Sequence, residues 1–157
     1  MAAEDLFTPT LQEHVPRHER TALQHWRLGS QVYVAFFGGV LAVTAIALVN
    51  AGLLRAPARV RAGILACGAA GLAVVVLAAS LLLSGDDVPD GARTALTLVG
   101  VAAWGGMYLL QRPWDRIYSS FARETEEDEL YESLVGPGLV AVIAGFLAQT
   151  AIVTAVA

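Results

Sequence analysis

AGILACGAAGLAVVVLAASLLLS, residues Ala62 to Ser84, runs for twenty-three positions without a charge. A helix rises about 1.5 Å per residue and the hydrocarbon core of a bilayer is about 30 Å thick, so roughly 20 residues of this kind suffice to cross it. Three more stretches share its character. Leu28 to Leu54 is uncharged for twenty-seven residues, Thr94 to Gln111 for eighteen and Ser133 to Ala157 for twenty-five. The chain therefore reads as an all-α polytopic membrane protein, a four-transmembrane-helix up-down bundle with spans at about 31–53, 60–84, 93–111 and 134–156.

Composition agrees with that reading. At 157 residues, 56% hydrophobic and a mean hydropathy of +0.59, the chain holds more apolar side chain than a soluble domain of this size can bury, and the surplus is expected to face membrane lipids. All ten basic residues are arginine, a bias that fits a GC-rich prokaryotic coding sequence. The net charge of −4 and the absence of a basic surface interleaved with aromatics exclude nucleic acid as a partner. Cys67 is the only cysteine, so neither an internal disulfide nor a paired-thiol redox site is available.

Outward from the spans, residues 1–30 form a polar tail with no cleavable leader, which leaves the first span as the membrane-targeting element. Pro16 suits a first helical position, and a short interfacial helix is expected from there to Leu28, with Leu23 and Trp26 on its apolar edge. Residues 31–157 make the four-span domain. Its first loop is RAPARVR and its second GDDVPDG; the third, 112–132, opens at Pro113 as a separate interfacial helix. There Trp114, Ile117, Tyr118 and Phe121 make an apolar stripe opposite Arg112, Arg116 and Arg123, and the acidic run Glu124 to Glu132 follows. Pro137, between two glycines, is a candidate kink in the fourth span.

Loops one and three carry six arginines (Arg55, Arg59, Arg61, Arg112, Arg116, Arg123), against four in the tail and second loop. The excess of basic residues in short cytoplasmic loops then favours both termini outside.

Chemistry is scarce. No histidine, acid or base lies within a span, which removes an intramembrane haem ligand pair and the titrating group of a proton-coupled transporter. His14, His18 and His25 of the tail lack metal-site spacing and read as titratable surface histidines; the acids from Glu124 to Glu132 read as a solvated turn or a docking surface, not a cation cage. No catalytic, cofactor or metal residue is assigned. Asn50 and Gln149, the two carboxamides within spans, sit at different depths and are expected to make separate helix-to-helix hydrogen bonds.

What remains is packing. Gly63, Cys67 and Gly71 fall on one helix face, as do Gly38, Ala42 and Ile46, and Ala141, Gly145 and Gln149. Such seams lead to a non-enzymatic membrane subunit or scaffold that packs against another membrane protein or itself, with the acidic loop as docking surface. The alternative is a homo-oligomeric channel or passive transporter for a small solute or cation, with Asn50, Gln149 and Thr150 facing its pathway.

Overall fold

A computed structural model describes residues 25–82, 91–124 and 131–156. It is mostly helical, and four of its helical segments are long and apolar enough to cross a membrane. In chain order the elements are β1 (His25–Trp26), a short 3-10 turn (Leu28–Ser30), α1 (Gln31–Leu53), α2 (Ala58–Leu82), α3 (Ala92–Glu124), β2 (Tyr131–Glu132) and α4 (Val135–Val156).

The helix α1 is not straight. Gly39 breaks it, with φ 73° and ψ −165°, a backbone region open essentially to glycine alone. The chain reverses there, as reach arguments require. In an unbroken helix Gln31 and Asn50 would lie about 28 Å apart along the axis. Five residues of extended chain span at most about 18 Å, so Trp26 could not then touch Asn50. Yet the Trp26 backbone N–H donates to Asn50 Oδ1 at 2.8 Å. Residues 31–38 and 40–53 are thus two limbs of a helical hairpin whose open end lies beside β1 and whose tip is Gly39.

Neighbouring helices register the reversal. Along α4, a Cβ on Gly138 would meet Val34 and Leu134, one on Gly145 would meet Ala42, and the Gln149 carboxamide reaches Gly39 and Val40. Along α2, Gly68 faces Thr44 while Gly71, deeper in, faces Val40. The first limb therefore runs with α4, and the second runs back against α2. A two-residue parallel bridge starts the first limb and α4 together, with His25 opposite Tyr131 and Trp26 opposite Glu132.

Three full-length helices surround the hairpin, which is the best-buried element: 44% of its apolar window is buried, against 11% for α4. Ala35, Val43, Ala47 and Ala51 of the limbs pack with Ile64 and Met107 into the main core. Small residues let the limbs come this close. In place of four straight helices alternating up and down, the described residues form three full-length helices and a hairpin, because one glycine turns the first apolar run back. His25 and Val156 lie at opposite ends of the bundle.

Two boundaries also move. Pro113 does not open a separate segment, since α3 continues through it from Ala92 to Glu124; the loss of one N–H is offset by unbroken helix on either side. Pro137 causes no kink, because α4 begins at Val135 and places it in the first turn, where a backbone donor has no partner to lose. The helix expected to close at Leu28 is instead extended at 25–26 and a 3-10 turn at 28–30; its remainder, with His14 and His18, lies outside the described residues, as do 125–130 of the acidic run.

Candidate functional site

Two polar sites bracket the hairpin. At its open end Asn50, fully buried, uses both faces of its carboxamide: Oδ1 accepts from Trp26 N–H, and Nδ2 donates to Gln111 Oε1 at 3.2 Å. Gln111 is itself fully buried and turns its Nε2 toward the Met107 carbonyl at 3.4 Å. One α3 turn further on, Asp115 Oδ1 lies 2.9 Å from Nε2 of His25, whose ring stands edge-on to Tyr131 at 5.1 Å. Deeper in, Trp104 Nε1 donates to the Leu28 carbonyl at 3.3 Å. Together these bonds tie the entering strand, the 3-10 turn, the second limb and α3 into one plug.

His25 is therefore not a surface histidine, being fully buried. Gln111 and Asp115 continue the Met107 face at i+4 spacing; a sequence reading puts Gln111 at the last position of its span and Asp115 beyond Pro113, where the helix is expected to have ended.

The second site is the tip. A break at Gly39 leaves the first N–H groups of the second limb without carbonyl partners. Gln149 Oε1 accepts from the first of them, Val40 N–H, at 3.1 Å. A carboxamide on another helix thereby caps the broken one. Asn50 and Gln149 thus stay apart, as their depths required, and each holds one end of the hairpin.

Beyond the tip the three long helices continue while the hairpin does not. Gln149 is fourteen residues into α4 and Gly71 thirteen into α2, so the tip stands about 20 Å in, roughly two-thirds of the way along α4 and half of the way along α2. Between the hairpin, α3 and α4 this leaves an open groove-like cavity of about 480 Å³. Gly38, Gly39 and Gln149 form its floor. Phe36, Phe37, Leu98 and Phe146 supply apolar walls, and Thr94, Thr150 and Arg93 complete the lining toward the far end. Arg93 stands seven residues from Gly100, where a Cβ would lie 2.9 Å from the Ala35 carbonyl oxygen, so about 10 Å separate rim from floor.

The small-residue faces are consumed within the chain. Gly63 packs on Leu110, Gly71 on Val40 and Ala103, and Gly106 on the Cys67 sulfur. Gly145 receives Ala42, and Gly38 faces Ala42 across the hairpin and not along one helix. Among the described residues no three of His, Cys, Asp or Glu gather as a metal site. No protein-family model, curated protein or solved structure matches this chain.

Proposed function

We propose that the chain is a multi-pass membrane protein that acts as a passive carrier or channel for a small solute, with the hairpin-tip cavity as its binding site. One observation carries this reading: a helix broken partway along the bundle opens onto a groove-like cavity between the hairpin, α3 and α4, with polar groups at its floor. In a bilayer, irregular backbone is tolerated only where protein buries it or where it lines a cavity, and discontinuous helices commonly build solute sites near mid-membrane. The cavity is formed within one chain. Leu77, Leu81, Leu139, Val140 and Leu147, at 60–74% exposure, give the outer faces the apolar surface that lipid requires. A scaffold or subunit role would need faces other than the seams already occupied internally.

The hairpin also changes the proposed orientation. With three crossings, the tail and loops one and three belong to one side, so nine of the ten arginines gather there and Arg93 alone falls on the other. Basic residues mark the cytoplasmic side. The N-terminal side is then cytoplasmic and the end of α4 is outside, in place of both termini out. In a Cys67→Ala background, single cysteines at Arg27 and Arg55 are expected to resist an impermeant maleimide in intact cells while one at Asp87 reacts. Labelling of Arg27→Cys from outside would reverse this assignment.

Transport is tested in proteoliposomes. Osmotic swelling in glycerol, sodium benzenesulfonate and choline chloride should exceed that of protein-free vesicles for at least one solute, and Gln149→Leu should reduce it about tenfold. Wild-type vesicles no more permeable than empty ones to any of the three would refute the reading.

A further inference from the structure

The polar groups lining the cavity share a sign. Gln149 commits its oxygen to Val40 N–H, which leaves the two Nε2 hydrogens without an acceptor among the described residues. Among the described residues no group takes the Thr94 or Thr150 hydroxyl and no carboxylate pairs with Arg93. Thr97 differs, since its hydroxyl is spent on the Arg93 carbonyl of its own helix at 3.0 Å. No acidic side chain is among the thirteen residues of the lining. The cavity thus offers one full positive charge and several free donors, whereas its other surfaces are the rings of Phe36, Phe37 and Phe146 and the side chains of Leu98 and Val153.

On these grounds we propose that the cavity binds an organic anion with an apolar body, its sulfonate, carboxylate or phosphate head held at the Arg93 rim and its body among the phenylalanines. This rests on the carrier or channel reading and names the solute class for it. Among the described lining residues the only charge a cation meets is Arg93, of its own sign. A small inorganic anion would leave the apolar walls uncovered. An anion with a hydrocarbon or aromatic body satisfies both, and 480 Å³ lies within the roughly 300–1,000 Å³ usual for small-molecule sites. Arginine suits the head group because its planar guanidinium pairs two donors with two anionic oxygens. Such an anion could come from water or from the membrane itself.

The test uses the full chain in a neutral detergent, titrated calorimetrically with benzenesulfonate and with phenyltrimethylammonium, a near-isostere of opposite charge. Benzenesulfonate is expected to bind at least tenfold tighter than the cation. Arg93→Gln should remove that preference without altering the thermal midpoint of the unliganded protein, because Arg93 is exposed and makes no bond that the fold needs. Arg93→Lys should retain part of it. Repeating the titration in nanodiscs of phosphatidylcholine with and without phosphatidylglycerol identifies the source. A weakened benzenesulfonate affinity with the anionic lipid makes a lipid the competing occupant, an unchanged one makes a free anion the occupant, and both uphold the site. Equal binding of anion and cation, or a preference indifferent to Arg93→Gln, overturns the proposal. Swelling in glycerol or choline chloride without anion selectivity would leave the carrier reading standing and remove this one. Arg93-dependent binding without any flux would do the reverse.

Discussion

Gly39→Ala is expected to destabilise the protein by about 2–6 kcal/mol, a large share of the roughly 5–15 kcal/mol that holds a typical domain together. Two independent costs meet at this position. The first is conformational: at φ 73° and ψ −165° a side chain is strained by about 1–3 kcal/mol. The second is steric, because the new Cβ falls on the Gln149 carboxamide and displaces the oxygen that accepts from Val40 N–H. That N–H then loses its acceptor, at about 1–3 kcal/mol. Gly29→Ala is the natural control, since nothing lies within 4 Å of a Cβ there; its effect should be a few tenths of a kcal/mol. Thermal or denaturant unfolding in detergent measures both. Alanine also suits a straight helix better than glycine does by up to about 1 kcal/mol. The variant therefore favours the competing structure in which the first limb continues onward, and a cysteine at position 5 should become reachable from the other side. A Gly39→Ala protein with wild-type stability and unchanged labelling would mean that the hairpin does not exist.

This competition explains what could be read from the sequence. Length and freedom from charge single out α2 and α4 as long apolar helices, because a run of that kind reads the same whichever way it points. The run from Leu28 to Leu54 is equally long and equally apolar, and composition carries no direction, so a hairpin and a crossing look alike. The Gly38–Gly39 pair is a weak sign, being common in apolar helices. The arginine distribution differs between the two arrangements: counted over four crossings it splits six to four, and over the three crossings proposed above it splits nine to one. Side-chain partners were harder still. Asn50 and Gln149 stand out as lone carboxamides within apolar runs, but Gln111 sits at the edge of one and Asp115 beyond it, and their partners are 61 and 90 residues distant. Bonds of that span leave no periodic trace. Only the fold brings them to one end of the hairpin.

Asn50→Leu is the second substitution expected to do heavy damage, at the opposite end of the same element. Leucine keeps the branching and heavy-atom count of asparagine, so the loss is chiefly one of hydrogen bonds. It strands the Trp26 N–H, which fixes the start of the first limb to the end of the second, and it strands Gln111 Oε1; both lie in the fully buried plug. At about 1–3 kcal/mol for each unpaired group, the single variant should lose about 2–6 kcal/mol. Gln111→Leu strands only the Asn50 Nδ2 hydrogens and should lose about half as much. Combining them separates the bond from its surroundings. Once Gln111 is leucine, replacing Asn50 no longer leaves a glutamine oxygen unpaired, so the double variant should be more stable than the two losses added together, by about 0.5–3 kcal/mol. Additive losses would show that the two carboxamides do not touch. Full additivity with an intact Asn50→Leu fold would go further, because Trp26 can reach Asn50 only if the chain turns back at Gly39.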